Sequence, residues 1–264
     1  MDDQEMDDQD RAALSKVPAV TLGFWVIKIL ATTLGETGGD TVSMTLDLGY
    51  LVGTAIFIVP LVLLVVAQIW AKRFHPLLYW ATIIASTTAG TTMADFATRS
   101  LGIGYAGGSV LLFLLVTASL LSWRALLGSV DVDTVRTPRA ELFYWITITF
   151  SQTLGTALGD WAADDGGLGY GGGAILFGAL LALLAACRYF TRLSHVVLFW
   201  AAFIITRPLG ATVGDFLDKP LANGGLAFSR PLASLVLAAV ILLLILALPQ
   251  RAGGHPGQSG KIPA

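Results

Sequence analysis

Cysteine is almost missing from this chain. Cys187 stands alone among 264 residues, so no intramolecular disulfide and no thiolate metal cluster can form. Charge is also scarce. Charged residues make up 13% of the chain, about half the roughly 25% of soluble domains. There is no basic patch and no nucleic-acid motif, so nucleic acid is not an expected partner. The three histidines, His75, His195 and His255, lie at expected helix edges or in the tail. No His-Glu-x-x-His run, Gly-x-Ser-x-Gly elbow or phosphate loop occurs. An enzyme is therefore not expected.

What is present in quantity is apolar sequence, at 55% of residues with a mean hydropathy of +0.74. Long apolar stretches with few charges read as transmembrane helices. Eight such spans are expected, near 18–44, 49–71, 76–100, 103–125, 140–163, 168–188, 195–218 and 228–249. Residues 1–15 are acidic and read as disordered; residues 251–264 are rich in Gly and Pro and read as a loose tail. The spans pair into four hairpins, as repeats 16–71, 72–126, 136–188 and 192–249 of a single transmembrane domain. Eleven Lys and Arg fall on the side of the termini and the links between hairpins, against three (Arg99, Lys219, Arg230) on the other. The positive-inside rule then places both termini in the cytoplasm.

One pattern occurs four times without change of spacing: Trp, nine residues, Gly, three residues, a small residue, Asp. The copies are Trp25–Gly35–Gly39–Asp40, Trp80–Gly90–Ala94–Asp95, Trp145–Gly155–Gly159–Asp160 and Trp200–Gly210–Gly214–Asp215. A shift of 120 residues also maps Lys16 onto Arg136, Pro18 onto Pro138 and Lys72 onto Arg192. The chain therefore reads as two 120-residue halves of two hairpins each. Because every repeat holds an even number of spans, the repeats run parallel about an axis along the membrane normal. The expected fold class is an all-α polytopic membrane protein, eight transmembrane helices in four parallel-repeat hairpins. Odd spans carry the polar residues and pack inside; even spans face lipid.

Acids within a bilayer are costly, so Asp40, Asp95, Asp160 and Asp215 need a reason. Two readings stand side by side. In one, the carboxylates bind a cation, aided by a stripe of hydroxyls: Thr33 below Glu36, Thr88 and Thr91 below Asp95, Thr153 and Thr156 below Asp160. Such hard oxygen ligands suit Mg²⁺, Ca²⁺, Mn²⁺ or protons. In the other, each Asp ties down backbone N–H groups of the loop leading to the Gly nine residues on (Gly49, Gly104, Gly169, Gly224). Glu36 and Arg207 have no counterparts in the other repeats and are expected to pair as a gate or counter-ion. Lys28 belongs to the same set, or snorkels to the cytoplasmic face. The Gly-xxx-small pairs allow close helix approach, and the four Trp read as an interface belt or packing element, not a substrate cage. Asp47, Asp164, Asp165 and Asp218 form an acidic outer mouth.

Two segments carry a resemblance: Phe24–Asp40, with Trp25, Lys28, Thr33 and Gly35-Glu36, and Arg207–Phe216. They resemble a bacterial family of uncharacterised membrane-anchored proteins, which implies a multi-pass inner-membrane protein and no particular activity. Glu36-Thr37-Gly38-Gly39-Asp40-Thr41 is more weakly similar to the signature of calcium/manganese–proton exchangers. Together these readings lead to an expected cation transporter that exports a divalent metal in exchange for protons, with Glu36 and Asp40 as metal ligands. The alternatives are a pseudo-fourfold cation pore and a non-transporting membrane scaffold. No cofactor is expected beyond the transported cation or proton. The expected partners are the lipid bilayer, a small cation and further copies of the chain.

Overall fold

The computed structural model describes residues 15–253, and the expected disorder of residues 1–14 and 254–264 lies outside them. Among the described residues there are eight α-helices: α1 Leu22–Asp40, α2 Gly49–Trp70, α3 Pro76–Asp95, α4 Gly104–Leu127, α5 Pro138–Asp160, α6 Gly169–Phe190, α7 His195–Asp218 and α8 Arg230–Ala247. Five of them (α2, α4, α6, α7 and α8) are long and apolar enough to cross a membrane. The remaining three, α1, α3 and α5, are diluted by the Thr, Ser, Gly and acid positions of the repeated pattern.

The odd helices form a closed inner ring in the order α1–α3–α5–α7–α1. Each even helix lies outside it. The outer helices do not fold back mainly on their own repeat, as self-contained hairpins would. α2 packs on α3, α4 on α5, α6 on α7, and α8 returns to cover α1. Each outer helix therefore staples its repeat to the next inner helix, and the last one closes the circle.

Glycine sets how tightly the ring closes. A Cβ placed on Gly35 of α1 would strike Thr87 of α3; on Gly90 it would meet the Gln152 main chain at 3.0 Å; on Gly155 it would strike the Arg207 stem; on Gly210 it would strike Thr32. In every case the first Gly of one pattern receives the residue seven after the Trp of the next. The second Gly does the same one turn on: Gly39 against Thr91, Gly159 against Ala211, Gly214 against Glu36. The four inner helices are thus in register, and a given offset from Trp marks one level along the bundle axis.

At the Trp end the core is aromatic. Trp80, Trp145 and Trp200 are buried, and Trp25 is half-buried. Phe24, Tyr79, Tyr144 and Phe199, each one residue before its Trp, pack among them, with the Tyr79 and Tyr144 hydroxyls 2.6 Å apart. Of the two expected roles, interface belt or packing element, these tryptophans take the second and build a packed floor. Below the floor, the two ends of the described chain meet. Residues 15–21 are extended, so α1 starts later than expected, where the Thr21 hydroxyl accepts from the Phe24 N–H. Ala19 N–H donates to Arg251 O (2.8 Å) and Gly253 N–H to Val17 O (2.8 Å), so residues 251–253 are tied down. Lys16 N–H donates to Val135 O (3.0 Å) and the Ser15 hydroxyl to Val132 O (2.7 Å), drawing in the loop between the halves.

Gly210→Val is expected to lower the unfolding free energy by about 1–3 kcal/mol through overpacking against Thr32. Gly178→Ala, where nothing lies within 4 Å, should change it by less than about 1 kcal/mol. Melting curves of the detergent-solubilised variants check the contrast. In the loop beneath the floor, burial and then the Asp131 carboxylate push the Asp133 carboxyl above its ordinary range. The stability due to its protonation is present below the unfolded carboxyl pKa and is lost as pH rises through the raised folded value. Asp133→Asn should flatten that part of a melting-temperature-versus-pH profile.

Candidate functional site

Moving from the Trp floor along the axis, the levels become polar and then charged. Seven residues after Trp stand Thr32, Thr87, Gln152 and Arg207. Eleven after Trp stand Glu36, Thr91, Thr156 and Ala211; fifteen after Trp stand Asp40, Asp95, Asp160 and Asp215. The four Asp side chains and Glu36 are all buried. One oxygen from each of Glu36, Asp160 and Asp215 lies within 4.8 Å of the others, and the same holds for Asp40, Asp215 and Asp218. Carboxylates from α1, α5 and α7 therefore converge on one place.

Arg207 holds the level below. Its Nη2 lies 2.9 Å from Glu36 Oε2, 2.5 Å from Thr91 Oγ1 and 2.6 Å from Thr156 Oγ1, with its two hydrogens shared among the three oxygens. One guanidinium from α7 thus reaches α1, α3 and α5. Two features of sequence make this possible. Gly155 leaves room for the Arg207 stem, and Ala211 leaves its own position in the next level empty of polar atoms. Arg207 is fully buried, and truncating one partner of a buried ion pair leaves the other charge uncompensated.

The four Asp are met by cations that the sequence reading assigned to the outer rim. Lys219 Nζ lies 2.7 Å from Asp40 Oδ2 and 2.9 Å from Asp215 Oδ1. Arg99 lies 3.0 Å from Asp160 Oδ2 and, through Nε, 3.1 Å from Asp95 Oδ1. Arg230 Nε lies 3.2 Å from Asp218 Oδ2 and 3.7 Å from Asp40 Oδ2. Arg99 also donates to the Tyr50 hydroxyl (3.3 Å), and its guanidinium stacks toward the Tyr50 and Tyr105 rings. A signal for two of these cations was available. Four residues after each Asp come Met44, Arg99, Asp164 and Lys219, so a basic group lies one turn from Asp95 and Asp215 on the same helix face. Arg230 carries no such periodic mark.

Other expected placements change. No side-chain cap bond joins Asp40, Asp95 or Asp160 to the π-helical turns that follow them (41–45, 96–100 and 161–165), so the loop-tie reading has no support at these three. A few residues beyond each turn come Gly49, Gly104 and Gly169, whose positive φ lets the outer helices start. The stripe divides in two. Thr33, Thr88 and Thr153 donate to carbonyls four residues back on their own helices, whereas Thr91 and Thr156 face Arg207. Lys28 does not snorkel outward: it is fully buried, with Nζ 3.4 Å from Gln152 Oε1 and 4.1 Å from the Phe203 ring centroid. Asp218 is buried against Arg230, not solvated at the mouth. Asp47 and Asp164 remain exposed, the latter accepting from the Tyr105 hydroxyl (3.2 Å).

Arg207→Met is expected to cost about 3–5 kcal/mol of unfolding free energy, since it strands Glu36. The double variant Arg207→Met/Glu36→Met should cost clearly less than the sum of the single changes. Denaturant titrations of all three variants give the coupling energy; strict additivity would mean that the two charges do not depend on each other.

The comparisons add a family and no activity. A family model described as Repeat of Unknown Function (DUF347) matches four times, at residues 23–74, 78–126, 143–194 and 198–251. No curated protein and no solved structure matches the chain, and the weaker similarity to calcium/manganese–proton exchangers finds no support among these results. Each matched segment contains one whole Trp-to-Asp pattern, so the element that recurs in the sequence is also the one that supplies each quarter of the charged axis. The chain belongs to the DUF347 repeat family.

Proposed function

We propose that this protein spans a bacterial inner membrane eight times, with both ends cytoplasmic, and moves a small cation along the axis of the inner ring. A divalent metal such as manganese, exchanged for protons, is the cargo that the chemistry favours. The observation that carries this reading is the convergence of Glu36, Asp160 and Asp215 within 4.8 Å. The way the protein neutralises these acids points to a divalent ion. Lys219 supplies one positive charge between two carboxylates, Asp40 and Asp215, and Arg99 does the same between Asp95 and Asp160. A divalent cation would balance such a pair in full, and carboxylate and hydroxyl oxygens are the ligands that Mg²⁺, Ca²⁺ and Mn²⁺ prefer.

In this reading Lys219, Arg99 and Arg207 act as tethered stand-ins for the cargo. Entry of a metal at the Asp end turns Lys219 outward, and Glu36 exchanges Arg207 for metal or proton. The aromatic floor closes the other end, so a cycle requires that floor to part. An open pore fits less well, because Arg207 bridges all the other inner helices across the axis. The scaffold alternative draws on the same ion pairs: every acid of the ring already has a cation nearby. Yet apolar replacements commonly hold helices together as well as buried ion pairs do, so stability alone gives no reason for this much charge.

Purified protein in liposomes with a Mn²⁺-sensitive dye inside tests the proposal. The wild type should carry Mn²⁺ faster under an imposed proton gradient. Glu36→Gln and Asp215→Asn should slow it at least tenfold, with the protein still monodisperse. Full Mn²⁺ flux in Glu36→Gln would remove Glu36 from the mechanism. No flux in wild type, combined with equal loss of expression for every Asp→Asn change, would favour the scaffold.

A further inference from the structure

Between the Trp floor and the Asp ring lies a layer with the opposite bias. It holds two cations, Lys28 and Arg207, against one carboxylate, Glu36, and all three are buried. Arg207 spends Nη2 on Glu36, Thr91 and Thr156, but its Nε and Nη1 have no hydrogen-bond partner. The Gln152 Nε2 donor is also unpartnered, as are the buried Thr87 and Ser151 hydroxyls. Lys28 has three ammonium hydrogens and one distant acceptor, Gln152 Oε1 at 3.4 Å. The face of Phe203 adds a weak attraction to the ammonium. These groups come from α1, α3, α5 and α7 at six to seven residues after Trp, or from Lys28 reaching toward that level.

Donors dominate this set, and with Lys28 protonated it carries one surplus positive charge. Water could satisfy the hydroxyls and the amide, but water would leave a protonated Lys28 uncompensated in a low-dielectric interior. An anion answers both needs. Close packing limits its size: Gln152 sits at 3.0 Å from where a Gly90 Cβ would be, and Thr87 lies tighter still against Gly35. A phosphate or sulfate would force the helices apart, whereas a single-atom anion need only lie among the free N–H groups. We propose that Lys28, Gln152 and Arg207, with Thr87 and Ser151, form a site for a halide ion on the axis below the carboxylates.

The site is separate from the carboxylates proposed to take the cation, and its test is separate as well. The probe is bromide, which scatters anomalously at its absorption edge and competes with chloride. Crystals of the wild-type protein grown with sodium bromide should show an anomalous peak in contact with Lys28 Nζ. In detergent, the melting temperature should rise by several degrees when gluconate is replaced by chloride or bromide at constant ionic strength, and the rise should saturate. Lys28→Gln should lose both signals. Should that variant not fold, Gln152→Leu and the wild-type crystal still decide the matter. No anomalous peak at Lys28, or a halide-dependent shift unchanged in Lys28→Gln, overturns the inference. A bromide peak with no Mn²⁺ flux would leave the anion site standing and remove the cation reading; flux without the peak would do the reverse.

Discussion

One guanidinium ties the inner ring together. Arg207 leaves α7, passes over Gly155 and ends among Glu36, Thr91 and Thr156, each on a different helix. The geometry depends on what is small. Gly155 admits the stem, Ala211 yields the centre of the next level, and the other glycine contacts bring the four helices close enough for one side chain to span them. In lipid, where apolar association between helices is weak, such close approach and polar bonding supply much of the packing force. The charged levels above Arg207 then follow: with the ring this narrow, acids at equal offsets from Trp lie close to one another.

The four repeats share a backbone plan but not a charge plan. Every repeat supplies one Trp, one close-packed small pair and one Asp. Only the second and fourth add a cation one turn beyond the Asp, as Arg99 and Lys219; the first and third place Met44 and Asp164 there. Each of these cations spans two acids, its own helix's Asp and that of a ring neighbour: Arg99 joins α3 to α5, and Lys219 joins α7 to α1. The electrostatics are therefore twofold on a fourfold frame. Glu36 and Arg207 break even that twofold pattern, and they do so at adjacent levels on adjacent helices. The result is a single asymmetric pair on the axis with a near-symmetric ring of acids above it.

Much of this was legible in the sequence because parallel, in-register helices turn an offset along the chain into a height along an axis. The Trp-to-Asp spacing accordingly announced a shared level, and the unmatched Glu36 and Arg207 stood out against it. Partners of the outer helices were not legible. α2, α4, α6 and α8 are apolar over most of their surfaces, so nothing in their residues marks which inner helix they cover. How the threonine stripe divides was not legible, for a local reason: a hydroxyl in a helix always has a carbonyl four residues back within reach, and Thr33, Thr88 and Thr153 take it. Thr91 makes that bond too, to Thr87 O (3.2 Å), but it and Thr156 also lie within reach of Arg207. Arg230 escaped because it approaches Asp218 and Asp40 across an irregular loop, where no helical period connects them.

The outer helices also constrain how such a bundle can move. Because each covers the next repeat's inner helix, no repeat is free to rock as a hairpin. Rearrangement then falls to the inner ring. The ring is not equally stiff throughout. Pro208 interrupts the hydrogen-bond ladder of α7 directly after Arg207, so α7 is the inner helix that bends at least cost. Its outer half carries Asp215 and leads into Lys219, while its inner half carries Phe203 and Trp200 into the aromatic floor. A bend at Pro208 would therefore shift the carboxylate ring relative to the floor, with the Arg207 contacts at the pivot. The residue that joins the four helices is thus the one whose bonds must be exchanged for the two ends of the axis to move apart.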